Sequence, residues 1–558
     1  MLKRFFIASL VFCISFLYWT VPYKDWRFFD DDYGAVHAGS IKSVSDIADF
    51  FTTNPNDRSI LPSNMRDDTE WTFFGVMYRP LALVMYAAEV YFFGPNNPHA
   101  YFLVSMALHS ACGALLFYIL SLIMPLLFAF FGSMVFVVYP MMGMFIGRFV
   151  MQTYSVAFLG LGLSILFLRR FFNEKRVFWY IFSILCFAIV LFVHEATIVF
   201  PVWLFCMLPF YFDSDIWPIK KNVVKSLFVS MPYFGVVAIN LFFRLLVYPL
   251  ASNSDYMLLR PLDFLHRLSF RFFDLVTLVV DALGLSFVPG GNRFSKSLLV
   301  LAVLSWILYV FVKSNRKRDM IFIGSGFLFF SWPAILITHQ ARYLYLGIPF
   351  LVAAVGLGMA SVRRFKWYEN RMIFCGYWIT ILVAGFIFCM ESTKARERYF
   401  VSVDNVFKAL AEDKRLLGRP ICFVGVPKEL IPCPGAAQAV WIYRKDDADP
   451  VYHDPQMNVC CKEIHTALEE LKVPSDAKID ISIDGKKVRI SIDTPEKIWI
   501  CTHDPFGRKF SFTMGTLEVL KSKNGRAFDV LITISEKWYS PEMAFVTWDF
   551  ENNFFMVQ

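Results

Sequence analysis

The chain has 558 residues, of which 57% are hydrophobic and 18% charged, and its mean hydropathy is +0.51. This composition excludes a soluble single-core domain, because such a domain needs a larger share of polar surface residues. The formal net charge of +8 does not indicate a nucleic-acid partner, since the Lys and Arg residues lie in short runs between apolar stretches. The predicted partner of the chain is therefore the lipid bilayer.

The N-terminus carries the first predicted membrane helix. Lys3 and Arg4 precede an apolar run from Phe5 to about Val21, which lacks the small-residue cleavage site of a signal peptide. We expect a retained helix whose N-terminus is cytoplasmic. Residues 22–75 are polar and acidic, which predicts a long external loop.

Twelve further apolar segments follow, most of them close to the length needed to cross a bilayer. They lie at roughly 76–94, 99–122, 125–146, 150–168, 177–193, 195–212, 226–247, 271–288, 297–312, 320–338, 343–360 and 372–390.

Four positively charged loops between these segments predict the cytoplasmic side. Their residues are Arg169, Arg170, Lys175 and Arg176; Lys220, Lys221 and Lys225; Lys313, Arg316, Lys317 and Arg318; and Arg363, Arg364, Lys366 and Arg371. For these loops to share one side, one segment before Arg169 and one between Lys225 and Lys313 cannot cross the membrane. We expect these to be 76–94, which would lie in or dip into the outer leaflet, and 271–288, a similar external element. The prediction is a polytopic α-helical membrane protein with about eleven transmembrane helices.

This topology places most of the unusual polar residues on the external side. They are Asp30, Asp31, Asp32, Arg79, Arg148, His194, Glu195, Asp263, Asn292, Arg293, His339, Gln340 and Arg342. Ionisable groups near a membrane are costly to remove from water, so their concentration on one face predicts a buried or wet polar site. Each residue taken singly is equally compatible with an interfacial anchor or a helix cap.

Asp30, Asp31 and Asp32 form an acidic triplet just beyond the first helix. Adjacent carboxylates repel one another unless a cation or hydrogen-bond donors compensate. The triplet suits a general base or a divalent-metal ligand. Taken alone, it is also compatible with a solvated acidic loop.

Residues 391–558 are more polar and predict a soluble C-terminal α+β domain, separate from a membrane domain over 1–390. Alternation of apolar and polar residues predicts strands at 479–483 and 488–492, with Asp484-Gly485 as the hairpin turn. A third strand is predicted at 528–534 and a helix at 404–417. An odd number of crossings places this domain outside.

Several short motifs occur in a fixed order along residues 1 to about 390. They are Phe28-Phe29-Asp30-Asp31-Asp32-Tyr33, Tyr78-Arg79-Pro80-Leu81, Asn97-Pro98-His99-Ala100-Tyr101 with His109, Tyr139-Pro140 with Gly147-Arg148, His194-Glu195-Ala196 with Pro201, and Arg342-Tyr343-Leu344-Tyr345-Leu346. The ordered set resembles the C superfamily of integral-membrane glycosyltransferases (GT-C), in particular the protein O-mannosyltransferase type. Relatives with helix-pair repeats commonly carry Lys-Glu in place of His194-Glu195, and no such repeat follows the membrane region here.

The resemblance implies that an acidic residue of the first external loop is the general base. Asp31 is the predicted base, with Asp32 and Asp30 as alternatives. The base would remove a proton from the acceptor hydroxyl as it attacks the anomeric carbon, which inverts the configuration there.

The resemblance also implies a polyprenyl-phosphate-linked sugar donor. Arg148, Arg342 and Arg79 are the predicted phosphate-binding residues, because a guanidinium pairs with phosphate oxygens at two points. His194, Glu195 and His339 are predicted to contact the donor or the acceptor. No cofactor and no metal are expected.

The predicted function is therefore sugar transfer on the extracytoplasmic face to a protein, lipid or polysaccharide acceptor. No Asn-X-Ser/Thr sequence occurs in the chain, which favours a bacterial inner membrane with a periplasmic C-terminal domain. The alternative is a transporter or flippase, in which intramembrane charges would line a pathway; a noncatalytic scaffold is the third hypothesis. Charges concentrated at one face, without similarity between the two halves, favour the enzyme.

Overall fold

The computed structural model describes residues 2–21, 45–52, 78–138, 148–212, 220–247, 308–331 and 344–361, eleven strands between 421 and 557 with the turn at 485–486, and single positions at 28, 32, 35, 36, 39–41, 305, 408, 412, 413 and 415. The chain forms two compact units. The first comprises 1–24, 77–82 and 102–393, and the second comprises 25–76, 83–101 and 394–558.

Apolar helices dominate the described part of the chain before residue 362. In chain order they are α1 (Leu2–Thr20), α2 (Asp46–Thr52), α3 (Pro80–Phe93), α4 (Pro98–Ser121), α5 (Leu126–Val138), α6 (Gln152–Glu174), α7 (Val177–Val193), α8 (Phe200–Phe212), α9 (Lys220–Val247), α10 (Lys317–Phe330) and α11 (Ile348–Ser361). Two short 3₁₀ helices, Phe149–Met151 and Glu195–Val199, lead into α6 and α8.

Four described helical spans are long and apolar enough to cross a membrane. They cover Leu2–Thr20 (19 residues), Pro98–Ser121 (24 residues), Phe149–Glu174 (26 residues) and Asn222–Val247 (26 residues). The prediction of an integral membrane protein is confirmed. The predicted segments 271–288 and 372–390 lie outside the described residues.

Three of the predicted cytoplasmic loops are partly helical, including the third, where Lys317 and Arg318 belong to the first turn of α10. Arg169 and Arg170 belong to the last turns of α6, and α9 already begins at Lys220. The sequence prediction ended these helices at the edge of the apolar run. Arg and Lys are good helix formers, so the helix continues past that edge into the charged region.

Small and hydroxyl residues join α6, α7 and α9 inside the first unit. A Cβ atom at Gly160 of α6 would lie 2.0 Å from Val190 of α7, so only glycine permits this approach. Ser164 and Ser183 donate to each other's backbone carbonyls at 2.9 and 2.6 Å, and the Ser183 hydroxyl also lies 2.6 Å from the Tyr233 hydroxyl. Small residues and interhelical hydrogen bonds are the usual means by which helices associate in lipid.

The C-terminal part of the second unit is built from β-strands. They are β1 (Ile421–Phe423), β2 (Val451–His453), β3 (Val459–Cys461), β4 (Ile479–Asp484), β5 (Lys487–Ile492), β6 (Ile498–Ile500), β7 (Lys509–Phe512), β8 (Gly515–Lys523), β9 (Arg526–Ile534), β10 (Ala544–Asp549) and β11 (Phe554–Val557). One sheet has the order β11-β10-β1-β2, with β1 parallel to both of its neighbours, and an antiparallel sheet has the order β4-β5-β9-β8-β7.

The hairpin predicted from the sequence forms, but its turn is displaced by one residue. Asp484 pairs with Lys487, so Gly485-Lys486 and not Asp484-Gly485 is the two-residue loop. Gly485 has a φ of 54°, as the first loop residue of a type II′ turn requires. Two-residue loops with a positive φ at their first position favour glycine there, which fixes the register. The predicted strand at 528–534 is confirmed within β9.

An ion pair between a half-exposed arginine and a buried aspartate lies on one face of the antiparallel sheet. Val488, Ile490, Val530 and Ile532 form the buried opposite face. Asp529 is 2% exposed and accepts hydrogen bonds from Arg489 at 2.9 and 3.1 Å and from Ser491 at 3.1 Å. The hydrogen bonds from Arg489 lower the pKa of the Asp529 carboxyl, against an opposing effect of burial.

We predict that acid weakens this sheet through Asp529. Because its pKa is lower in the folded state than in the unfolded state, the pair contributes stability above the ordinary Asp pKa of about 3.9, and that contribution is lost as the pH falls through the folded pKa. Amide hydrogen exchange in 526–534 of the full chain, corrected for intrinsic rates, measures this loss. Protection of these amides should fall as the pH is lowered from about 3.9 through the folded pKa of Asp529. Asp529→Asn should have lower protection at pH 6 and little further loss on acidification.

Glu518→Gln is the matched control, because Glu518 is an exposed acid on the adjacent strand β8. Its profile should follow that of the unmodified chain. A profile for Asp529→Asn that also follows the unmodified chain would contradict the prediction.

Candidate functional site

A two-point ion pair joins Arg79 to Glu195, 116 positions apart in the sequence. The Arg79 Nε–H donates to Glu195 Oε2 in a short contact, and Nη2 donates to Oε1 at 2.5 Å. The side chains are 19% and 25% exposed. A charge-assisted pair with two contacts fixes the plane of the guanidinium as well as its position.

Local sequence places both members of the pair beside a helix start. Pro80 is the first residue of α3, a position where the missing N–H of proline costs nothing, and the Arg79 carbonyl accepts from the Ala82 N–H at 3.1 Å. Glu195 is the first residue of a 3₁₀ helix, where the N–H groups without a helical partner stabilise a negatively charged side chain. The extended backbone of His194, with φ −152° and ψ 117°, separates that helix from α7.

His194 is fully buried directly beside the ion pair. Its Nδ1 accepts a hydrogen bond from the Ala196 N–H at 3.2 Å, so in the neutral ring the proton is on Nε2. The imidazole packs against Tyr154, with 4.0 Å between ring centroids. The two residues of the His194-Glu195 motif therefore have different partners. Glu195 binds Arg79, and His194 packs against Tyr154 of α6.

A second polar cluster continues from Tyr154 into the bundle. Its ring centroid lies 6.1 Å from that of Tyr345, whose hydroxyl is 2.9 Å from His109 Nδ1 and 3.0 Å from the Ser155 hydroxyl. His109 Nε2 faces the Val137 carbonyl at 3.2 Å, and because a carbonyl only accepts, Nε2 carries the proton. The Tyr345 hydroxyl then donates to His109 Nδ1 and accepts from the Ser155 hydroxyl. Each group in this chain therefore donates to the next, from Ser155 to the Val137 carbonyl.

The Val137 carbonyl is the point where this cluster meets the first helix. It lies in the last turn of α5, where carbonyls have no partner within the helix. Trp19 Nε1 donates to it at 3.0 Å in addition to His109. Side chains from α1 and α4 therefore satisfy the end of α5.

Arg148 immediately precedes the long helix that carries Tyr154. Its backbone is extended, with φ −134° and ψ 112°, and its carbonyl accepts from the Met151 N–H at 3.1 Å at the start of the 3₁₀ helix. The N-terminal end of a helix has a partial positive charge from its aligned peptide dipoles. Arg148, Tyr154 and the neighbouring His194 thus share one end of the bundle in the first unit.

The remaining predicted site residues are only partly described. Asp32 belongs to the second unit and is completely buried. Phe28, four residues earlier in the chain, packs edge-on against Tyr101 of the same unit at 5.3 Å between centroids. Asp30, Asp31, His339 and Arg342 lie outside the described residues. Their roles stay predictions.

Sequence reasoning missed Tyr154, Ser155 and Trp19, which connect the predicted residues. A single hydroxyl or indole in an apolar run is more often a packing residue, so no local signal identified them. Tyr345 and His109 were noted within motifs, but without a partner. The partners lie on helices far apart in the chain, and only packing of α1, α4 and α6 brings them together.

We predict that Glu195→Gln destabilises the first unit, because a largely buried guanidinium loses its two-point carboxylate partner. The expected loss is about 1.5–3 kcal/mol in the free energy of unfolding. Thermal unfolding of the purified full chain measures it. Arg79→Lys, with Glu195 unchanged, should also be less stable than the unmodified chain, since an ammonium group lacks the planar fork that makes both contacts.

The double variant Arg79→Met with Glu195→Gln is the control for a direct interaction. Its loss should be smaller than the sum of the losses of the two single variants. Additive losses would show that the pair contributes nothing to stability.

Comparisons with known proteins give similarities of fold. No family model and no curated protein sequence matches the chain. ArnT from Cupriavidus metallidurans, solved bound to undecaprenyl phosphate, is similar with a TM-score of 0.44 at 11% identity, over 96% of this chain and 99% of that chain. The oligosaccharyltransferase of Archaeoglobus fulgidus, in complex with Zn and sulfate, is similar with a TM-score of 0.40 at 9% identity, over 78% of this chain and 61% of that chain.

A further structure is the Archaeoglobus fulgidus oligosaccharyltransferase AglB, in complex with an inhibitory peptide and a dolichol-phosphate. Its TM-score is 0.40 at 10% identity, over 83% of this chain and 70% of that chain. At these identities the similarities concern the fold alone and carry no argument about substrate or catalytic residues.

Proposed function

We propose that the protein is an inverting membrane glycosyltransferase that transfers a sugar from a polyprenyl-phosphate-linked donor to an acceptor on the extracytoplasmic face. The observation that carries the proposal is the Arg79–Glu195 pair, fixed beside His194 and Tyr154 at the end of the bundle where Arg148 begins its helix. The order of the sequence motifs around these residues supports it.

The arginines supply the phosphate-binding part of the site. A guanidinium whose plane is already fixed loses little freedom when it binds a phosphate, and Glu195 fixes that plane for Arg79. Arg148 adds a positive charge at a helix N-terminus, where anions are already favoured. Arg342, two residues before the buried Leu344, is the third proposed member.

These positive charges act on the leaving group. As the glycosidic bond breaks, negative charge grows on the phosphate oxygen, and a preorganised cation stabilises it most at that stage. The leaving group is a stabilised phosphate ester, so little acid catalysis is required. His194, Glu195 and His339 are proposed to shape the surrounding contacts rather than to transfer protons.

Asp31 is the proposed general base, with Asp30 and Asp32 as the alternatives. Its carboxylate would take the proton of the acceptor hydroxyl while that oxygen attacks the anomeric carbon from the face opposite the phosphate. The C–O bond to the acceptor forms as the bond to the phosphate breaks, which gives inversion. The acceptor is proposed to be a protein, a lipid or a polysaccharide in the periplasm of a bacterium.

We predict that Asp31→Asn lowers the rate of sugar transfer by roughly 10²–10⁴-fold, the usual contribution of a general base. The assay supplies membranes containing the full chain with radiolabelled polyprenyl-phosphate sugars, at equal protein abundance. Asp32→Asn should lower thermal stability as well as the rate, because Asp32 is completely buried. If Asp31→Asn transfers sugar slowly but unfolds at the same temperature as the unmodified chain, the lower rate reflects loss of the general base and not loss of folded protein.

We also predict that Arg148→Ala weakens donor use strongly while Arg176→Ala does not. Arg176 is the matched control because it is an exposed arginine just beyond the other end of α6. Measuring KM and kcat for the active donor separates binding from catalysis. Wild-type rates for Asp31→Asn and Arg148→Ala would show that the site lies elsewhere, and failure to consume any donor would favour the transporter.

A further inference from the structure

A cavity of about 520 Å³ lies within the first unit, and the proposed reaction does not use it. Its wall is almost entirely aliphatic and aromatic, with Leu116, Phe158, Leu161, Trp203, Phe350 and Ala353 among its residues. Polar side chains occur in its lining mainly at one end, where Arg169, Asn173, Arg316 and Asp319 are found. The cavity is therefore amphipathic along its length.

The dimensions of the cavity match a single acyl chain. Its lining includes α6 from Phe158 to Asn173, which at 1.5 Å per residue spans roughly 22 Å. One leaflet accounts for half of a hydrocarbon layer about 30 Å thick, so an acyl chain of one leaflet fits within this length. A polyprenyl chain is several times longer.

The charged end of the cavity lies where positive residues cluster. It is formed by the C-terminal part of α6 and the start of α10, and the positive-inside rule predicts that this end is cytoplasmic. Arg316 donates to Asp319 at 2.7 Å and to the Ile123 carbonyl at 2.8 Å, so its charge is balanced locally. Arg169 has no ion-pair partner among the residues that the structure describes, and it supplies the net positive charge there.

We propose that this cavity is a binding site for an anionic glycerophospholipid of the cytoplasmic leaflet, with one acyl chain inside the cavity and the phosphate at Arg169. An apolar space of this size cannot be filled well by water, which needs several polar partners. Left empty, it would forfeit the packing contacts of its whole wall. The bilayer supplies the apolar chain, and anionic headgroups at the cytoplasmic surface supply the complementary charge.

The site is separate from the proposed donor site. Arg79, Arg148 and His194 lie at the opposite end of the helices, since Arg148 precedes α6 and Arg169 is near its end. A phosphate on a long apolar chain is common to the phospholipid and the donor, but the charged end of this cavity is at the face opposite the proposed reaction. Binding here therefore does not depend on the proposed function.

Native mass spectrometry of the delipidated full chain, titrated with phosphatidylglycerol, tests the proposal. Arg169→Gln should bind roughly tenfold more weakly, because one charge-assisted contact to phosphate is lost. Arg176→Gln removes the same charge three residues beyond the cavity wall and should bind as the unmodified chain does. The unmodified chain should bind phosphatidylcholine more weakly than phosphatidylglycerol. Arg169→Gln should bind the two lipids with equal affinity.

A photoreactive phosphatidylglycerol with a diazirine on its acyl chain locates the occupant in the unmodified chain. Cross-links should fall on the wall residues Leu161 and Ala353, and Ala353→Phe should remove them by filling the cavity. Cross-links confined to outward-facing residues such as Ile181 and Phe228 would overturn the proposal. Equal binding of the two arginine variants, or displacement of the cross-link by stoichiometric polyprenyl phosphate, would also overturn it.

Discussion

The arrangement of the polar end of the first unit depends on the pairing of Arg79 with Glu195. Neither charge is stable alone in a largely buried position, because desolvation without a partner is costly. Pairing requires the start of α3 and the break after α7 to meet, although they are more than a hundred residues apart. Once they meet, His194 is held against Tyr154, and the start of α6 with Arg148 is fixed to the same region.

The same demand for polar partners organises the interior of the bundle. The Val137 carbonyl at the end of α5 receives donors from two other helices, and the directed hydrogen bonds through Tyr345 leave His109 with a defined tautomer. In a membrane no water is present to satisfy such groups, so each one specifies a neighbour. Polar groups thus determine which helices pack together, while apolar surface alone would accept many arrangements.

The two ends of α6 have different proposed roles, one in sugar transfer and one in lipid binding. Arg148 precedes its N-terminal end, which carries Tyr154, and its C-terminal end carries Arg169 at the polar end of the apolar cavity. One helix of membrane-spanning length therefore connects the proposed donor site to the proposed lipid site. Occupancy of the cavity would support the packing around α6, from which the proposed catalytic end is built.

Hydropathy and turn chemistry are local properties, so the sequence alone was sufficient to predict the membrane environment, the approximate limits of the described apolar helices and the β-hairpin of the C-terminal domain. It named Arg79 and Glu195, but as separate contacts, and it placed the hairpin turn one residue early. The packing of the helices was needed to show that these two residues bind each other and that Trp19 and Tyr154 belong to the polar clusters. Such partners are chosen by helix packing across long sequence separations, and a side chain in an apolar run carries no local sign of what it will meet.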